Sequence, residues 1–423
     1  MDPRALLIGS FHAAVGAADP LKILPPHLPQ PPQGKTLVVG AGKAAAAMAL
    51  ATEQHWPSAA PLDGLVITRY QHGLLTNRVQ VIEAGHPVPD ESGEKAAHEI
   101  LRRAKALGTN DLLLALVSGG GSSLLSLPVE GIRMDELKAT TKELLRCGAP
   151  IQDMNTVRKH LSSIQGGKLA AACKAQVLAL IVSDVTGDDP THIASGPCAP
   201  DPSTYQDALD IFTRYGVKAP ASVVGHLQRG ARGEIAETPK PGDKLFRRAE
   251  NRIIATAQSS LQAAAEHFRA KGITPVVLGD SVTGEASEVA KVYAALARQI
   301  RTHSNPFKPP VALISGGECT VTVRGNGRGG RCSEFLLSLA VELDGMPDAY
   351  ALACDTDGID GSEDNAGAVL GPDSLSRANL KGFSAKKLLA NNDGYSFFEA
   401  LGDLVVTGPT RTNVNDFRAI LLL

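Results

Sequence analysis

Long apolar runs are missing from this sequence. None reaches the length of a membrane-crossing helix, and no basic start followed by an apolar core and a small-residue cleavage site opens the chain. No membrane partner is expected, and a soluble cytoplasmic protein is. Net charge is nearly missing as well: 42 Lys and Arg stand against 44 Asp and Glu, a formal −2. The basic residues are scattered rather than striped, which excludes a general nucleic-acid or acidic-membrane binder. The six cysteines, at 147, 173, 198, 319, 332 and 354, form no CxxC pair and no zinc-like spacing. Buried free thiols in a reducing compartment are therefore expected. There is one Trp against 42 Gly. So many glycines without low-complexity repeats suit an α/β protein with many tight strand-to-helix turns. At 423 residues the chain is too long for one comfortable core, and two domains are the default.

What is present is a series of apolar strands that run into small-residue turns. Lys35 to Val39 leads into Gly40-Ala-Gly-Lys-Ala-Ala45 and an alanine-rich helix. This matches G-x-G-x-x-A, the shape of a dinucleotide fingerprint. The next strand, however, ends in Arg69-Tyr70, where an acidic ribose partner would stand. Lys43 sits inside the turn, placed to reach a phosphate or an acidic substrate. The loop is no Walker A motif, because the spacer and the Ser or Thr after Lys are missing. Asp111 to Val117 is a continuous apolar strand of the buried, parallel-sheet kind. It ends in Ser118-Gly-Gly-Gly-Ser-Ser123, so Gly119, Gly120, Gly121 and Ser122 offer donors where open α/β sheets place ligands; a flexible turn is the alternative.

Leu313 to Phe335 repeats the pattern: a strand into Ser315-Gly-Gly-Glu318, then a glycine run, then a helix from Cys332. The echo of Ser118-Gly-Gly suggests two halves of similar construction. Gly325, Gly327 and Gly330 have G-x-G-x-x-G spacing before the helix, with Arg328 and Arg331 flanking them. Free helix-start amides and two guanidinium groups suit a phosphate. A glycine-rich hairpin turn would carry the same spacing. Lys159 and Lys168 are further candidates for an anionic ligand, with solvated lysines as the alternative.

Two acidic turns complete the set. A strand ending at Val182 runs into Ser183-Asp-Val-Thr-Gly-Asp-Asp-Pro190, and Asp184 leaves the strand directly. Helix capping accounts for Asp188 and Asp189 better than for Asp184. A strand ending at Ala353 runs into Cys354-Asp-Thr-Asp-Gly-Ile-Asp-Gly361. Asp355 and Asp357 suit a Mg²⁺ or sugar-hydroxyl site, but the spacing is not that of an EF-hand, and exposed Asp caps are the competing account. The charged, proline-bearing segment from Arg229 to Asn251 marks the junction, dividing the chain into 1–240 and 241–423.

Taken together the motifs resemble the glycerate kinase family that carries the MOFRL domain, a family also known as tartrate-utilisation hydroxypyruvate reductase-like. The matching segments are Val39-Gly-Ala-Gly-Lys-Ala, Val117-Ser-Gly-Gly-Gly-Ser-Ser, Asn155-Thr-Val-Arg-Lys-His-Leu, Gln165-Gly-Gly-Lys-Leu, Ser183-Asp-Val-Thr-Gly-Asp, Ala194-Ser-Gly-Pro, Ser315-Gly-Gly-Glu, Gly329-Gly-Arg and Thr356-Asp-Gly-Ile-Asp-Gly. They run through nearly the whole chain in order. The resemblance implies two α/β domains, an N-terminal Rossmann-like one and a C-terminal MOFRL one, with an interdomain cleft. It implies ATP- and Mg²⁺-dependent phosphorylation of D-glycerate to 2-phosphoglycerate, with no nucleic-acid or membrane partner and with a homodimer as a possible assembly. Lys43, Asp184 and Arg331 carry over as catalytic positions, and Asp355 and Asp357 as metal or hydroxyl ligands. On this reading Lys43 and Arg331 bind anionic oxygens, Asp184 positions and deprotonates the attacking hydroxyl, and the turns at 119–122 and 325–330 cradle nucleotide phosphates.

Two other classes stay open. An NAD(P)H-dependent hydroxypyruvate reductase is supported by Gly40 to Ala45 and by an Arg69 that would suit a 2′-phosphate. It lacks an acidic ribose partner and a clear His–carboxylate relay. A non-catalytic sugar-acid binder would show ligand-induced stabilisation without turnover, and the number of charged loops argues against it.

Overall fold

The computed structural model describes residues 2–423. Contacts divide the chain into two units, Pro20–Ile254 and a second made of residues up to Asp19 together with Ala255–Leu423. The N-terminal unit holds β1 (Thr36–Ala41), β2 (Leu62–Arg69), β3 (Val79–Ala84), β4 (Leu112–Val117), β5 (Gln176–Val182) and β6 (Ala249–Ala255) in the order 3-2-1-4-5-6. The first five pair in parallel. All six residues of β1 and of β4 are buried, as an unbroken apolar run requires when helices cover both faces of a sheet. The chain moves outward from β1 to β3 and then returns to β4 on the other side. Strand order therefore reverses between β1 and β4, the place where such sheets bind ligands.

Local chemistry fixes the helices around this sheet. Asp90 accepts the Gly93 amide at 3.0 Å and starts the helix Glu91–Lys105. The helix Ala45–His55 buries Ala45, Ala46, Ala47 and Ala49. The proline-rich segment before β1 holds a short helix, Pro20–Ile23, and a 3-10 turn, Pro25–His27.

The C-terminal unit holds β7 (Thr274–Gly279), β8 (Gly284–Glu285), β9 (Val311–Gly317), β10 (Cys319–Thr320), β11 (Ala349–Asp355), β12 (Gly367–Leu370), β13 (Leu404–Val405) and β14 (Asp416–Leu422). Its main sheet runs 13-12-11-14-9-7, and β8 pairs with β10 apart from it. β14 lies antiparallel to both β9 and β11, so the sheet is mixed. The expectation of two similarly built halves is thus corrected: one sheet is wound in parallel and the other is not.

Two boundary expectations change as well. The strand near residue 252, which the junction at 240 would place in the second half, is β6 at the edge of the first sheet. The helix Pro3–Gly16 belongs to the C-terminal unit, where Leu7, Phe11 and Ala14 pack with Leu261, Phe268 and Phe417. Gly9 lies against the His267 ring, where a Cβ would meet Cε1 at 2.7 Å and the ring would have to shift. The division thus falls near 254 with the first helix exchanged, rather than at 240, because apolar faces far apart in sequence find each other.

Candidate active site

In the N-terminal unit the turns after β1 and β4 interlock. Lys43 N donates to Gly119 O at 2.8 Å, and Ala44 N donates to Ser118 Oγ at 3.0 Å. Gly42, at φ +137°, has no room for a side chain: a Cβ would lie 2.1 Å from Ser118 Oγ. Gly120, at φ +83°, is flanked by two side chains. A Cβ there would come within 3.0 Å of His86 Nε2 and 3.5 Å of Lys43 Cγ. The helix Ala45–His55 starts beside them with no side chain capping it, so its positive end faces the turn. Lys43, Gly119, Gly120 and Gly121 are thus brought together at the switch point. His86 joins them from the end of β3, a residue that sequence reasoning passed over because a lone Gly-His-Pro after a strand has no distinguishing spacing.

Ser122 continues the cluster. Its Oγ stands 2.9 Å from Ser195 Oγ, which donates to Asn155 Oδ1 at 3.1 Å. Arg158, one turn along the helix Ile151–Leu161, donates to the same Asn155 Oδ1 at 2.6 Å and reaches Ser195 Oγ at 3.5 Å. Ala194 and Ser195 both hold left-handed backbone, at φ 50° and 58°, a cost that non-glycine residues carry where surroundings impose it. Asp184 stands two residues past the end of β5, after Ser183, and is half-buried. Asp189 accepts the Thr191 amide at 2.9 Å within the loop and caps no helix, since the turn Ile193–Ser195 has His192 at its N-cap with no side-chain cap.

Lys159 and Lys168 prove internal. Lys159 is buried, with Nζ 3.3 Å from the buried Asp201. Lys168 Nζ donates to Lys159 O at 2.9 Å and to Ser162 O, closing the C-terminal end of the helix Ile151–Leu161. Burial lowers the Lys168 pKa to about 8. Neither alternative weighed for them holds: these lysines serve the fold.

In the C-terminal unit Arg331 opens the helix Arg331–Leu343 and is held by three carboxylates. Nε pairs with Asp416 at 2.7 Å, Nη2 with Asp355 at 2.8 Å, and Nη1 with Glu318 at 2.9 Å. Burial pulls its pKa down, but Asp416, Asp355 and Glu318 outweigh that and hold it well above the ordinary arginine value. Asp416 also takes Arg418 Nη2 at 2.6 Å, and both are buried. Asp416 and Arg418 were missed by sequence reasoning. Their only signal was an i, i+2 spacing on one face of β14. Ser315 and Gly316 lie inside β9, paired with Arg418 and Phe417, so this Ser-Gly-Gly is strand rather than turn.

The glycine run is corrected more sharply. The amides of Gly325, Asn326, Gly327 and Arg328 donate to Asn392 Oδ1, Asn391 Oδ1, Asn391 O and Asp393 Oδ1 at 3.1, 3.1, 2.9 and 3.1 Å. Gly330 N donates to Ser333 Oγ at 3.0 Å. A Cβ at Gly325 or Gly327 would strike the 391–393 turn at 2.4 Å. These glycines permit close packing, and their donors are not presented to a phosphate. The helix start is also occupied, since the buried Asp360 accepts the amides of Cys332 and Ser333 at 2.9 and 2.8 Å. Arg328 pairs with Glu399 at 2.8 Å and lies over the Tyr395 ring. On its outer side the run still borders a cavity of about 230 Å³, whose wall includes Gly327, Gly330, Arg331 and Glu334.

Asp355 and Asp357 are buried on one turn. Asp355 accepts the Asp357 amide at 3.0 Å as well as Arg331. Among the described residues no group of three or more His, Cys, Asp or Glu is placed to hold a metal ion. A Mg²⁺ carried by nucleotide phosphates needs only one or two carboxylates, and this pair fits that lesser role. The cysteines are free, five of them buried, as expected. No helix is long and apolar enough to cross a membrane among the described residues.

Two family models match the chain: a domain of unknown function, DUF4147, over residues 6–228, and the MOFRL family over residues 311–416. A protein of Agrobacterium vitis named putative hydroxypyruvate reductase is 48% identical, covering 99% of this chain and 94% of that protein. The glycerate 2-kinase of Pyrococcus horikoshii is 41% identical, covering 90% of this chain and 86% of the kinase. The crystal structure of glycerate kinase from Thermotoga maritima superposes with a TM-score of 0.87 at 36% identity over 99% of each chain. Motif order, fold and full-length similarity agree, and the chain belongs to the glycerate kinase family that carries the MOFRL domain.

Proposed function

We propose that this chain is an ATP-dependent glycerate kinase that transfers the γ-phosphoryl group of ATP to the 2-hydroxyl of D-glycerate. The observation that carries the reading is the switch-point cluster, Lys43 beside Gly120 and Ser122, on a chain similar along nearly its whole length to glycerate 2-kinases. In the transfer, the 2-hydroxyl oxygen bonds to Pγ as the Pγ–O bond to ADP breaks. The hydroxyl proton passes to the Asp184 carboxylate. Lys43 offsets charge on the phosphoryl oxygens, and the turn at Gly119–Ser122 bounds the nucleotide phosphates. Mg²⁺ would supply charge neutralisation on phosphate oxygens, and Asp355 and Asp357 are the carboxylates of the C-terminal unit that would hold it.

Arg331 takes a role that its ion pairs allow. Asp355 and Asp416 are buried and fix the guanidinium, whereas the Glu318 side chain is 54% exposed. A phosphoryl oxygen replacing Glu318 on Nη1 would gain a preset donor at little reorganisation cost. On this reading the protein acts in the cytoplasm.

The test is ADP release from ATP, Mg²⁺ and D-glycerate, with the product identified by NMR. Glycerate-dependent ADP and 2-phosphoglycerate are expected, and Lys43→Met should lower kcat by about a hundredfold or more. Near wild-type turnover in that variant would remove Lys43 from the mechanism. A second reading is kept because the Agrobacterium vitis relative bears a reductase name. Oxidation of NADH or NADPH with hydroxypyruvate, and no ATP binding, would put it in place of the kinase.

A further inference from the structure

Arg158 lies beside the candidate site, within reach of Ser195. It is half-buried on the helix Ile151–Leu161. No carboxylate among the described residues pairs with it. Its two hydrogen bonds, to Asn155 Oδ1 and Ser195 Oγ, both leave from Nη1. Nε and Nη2, the parallel pair of donors that grips a carboxylate in two-pronged fashion, engage no described residue. Burial without a counter-charge lowers its pKa to about 10, so the group stays charged at neutral pH. An arginine kept charged, oriented by Asn155 and left with that edge open is built for an anion that arrives from outside.

We infer that Arg158 is the carboxylate receptor for the acceptor: it binds the planar carboxylate of the hydroxy acid through Nε and Nη2, with the Ser122 and Ser195 hydroxyls beside it for the acid's oxygens. The inference rests on the kinase reading and names the part of that site which selects an acid over a neutral polyol. One feature favours this over a nucleotide phosphate, since the two-pronged edge by itself suits either anion. The neighbouring groups are neutral hydroxyls and an amide, which suit a small polyhydroxy acid. Ser195 is held by left-handed backbone at Ala194 and itself, which fixes its hydroxyl between Ser122 and Asn155.

The experiment compares wild type with Arg158→Gln and Arg158→Lys. Steady-state kinetics would vary D-glycerate and ATP separately. Calorimetry would measure D-glycerate binding without ATP. In Arg158→Gln, KM and Kd for D-glycerate should rise by about a hundredfold while KM for ATP changes by less than about threefold. Preference for D-glycerate over its uncharged amide should fall by the same factor, a change that loss of packing alone does not produce. Arg158→Lys, which keeps the charge and loses the fork, should lie between and guards against a folding failure in the first variant. Unchanged glycerate binding in both variants would overturn the inference and leave the kinase reading standing. A raised KM for ATP with unchanged glycerate binding would assign Arg158 to a phosphate and also overturn it. Wild-type protein that binds glycerate without turnover would end the kinase reading alone, and the calorimetric comparison would still decide on Arg158. Wild-type protein that binds no glycerate would overturn both.

Discussion

Glu334 should make this protein lose stability as pH rises toward neutral, and Glu334→Gln should abolish that loss. Glu334 is 5% exposed in the helix Arg331–Leu343. Burial raises its pKa from 4.5 to about 7, with Glu285 and Asp360 adding to the shift and a hydrogen bond from Asn392 Nδ2, at 3.1 Å, opposing it. The cations Lys291, Arg324 and Lys386 line the same cavity, of about 580 Å³, without reversing this direction. Between pH 4.5 and about 7 the folded state holds a proton that the unfolded state has released. Stability must therefore fall with rising pH across that window, and the full penalty stands above it. At about 1.36 kcal/mol per pKa unit, the shift sets a ceiling of roughly 3 kcal/mol, and about 1–2 kcal/mol is the working expectation once relaxation and water entry are allowed. Glutamine keeps an acceptor for Asn392 and cannot ionise. The variant should match wild type near pH 4 and exceed it by that amount at pH 8. Urea unfolding followed by circular dichroism is the assay, because the single tryptophan, Trp56, lies in the other unit. A wild-type pH slope that persists in Glu334→Gln, or no gain at pH 8, would refute the reasoning.

Two further outcomes follow from the C-terminal unit. Asp416→Ala leaves the buried Arg418 without its carboxylate and strips one hold from Arg331, so a loss of about 3–5 kcal/mol is expected in the same urea assay, and a loss below about 1 kcal/mol would contradict the geometry. Gly327→Ala forces a Cβ to 2.4 Å from Asp393 Cβ and should cost about 1–3 kcal/mol with KM for ATP nearly unchanged. A raised KM for ATP at unchanged stability would restore the phosphate-cradle account of this run.

How far the sequence could be read depended on whether the signal was local. Leu112 to Val117 is apolar at every position, which forces burial on both faces, and that run alone places the turn after it at a ligand-bearing strand end. A cap such as Asp90, three residues before the Gly93 amide it accepts, is an equally local signal. The glycine spacing at 325–330 was misleading for a physical reason. A missing Cβ serves the approach of a phosphate and the approach of another backbone equally well, and only the 391–393 turn decides between them. Asp416 and Arg331 are 85 positions apart, and no periodicity announces their contact. β6 was assigned to the wrong half because its edge position leaves it neither strongly apolar nor strictly alternating.

The two arginines near the proposed chemistry make the same point through charge. Both sit in motifs with family resemblance, and sequence alone ranks Arg331 first because it adjoins a glycine run and a helix start. The structure gives Arg331 three carboxylates and gives Arg158 none. Glu318, Asp355 and Asp416 stand against Arg331 and Arg418 in that cluster, and a carboxylate must give way before an anion can take its place on Arg331. At Arg158 it would meet an unopposed charge. A phosphoryl group that travels with Mg²⁺ suits the first environment, and a bare carboxylate suits the second. How each guanidinium is compensated depends on residues distant in the chain.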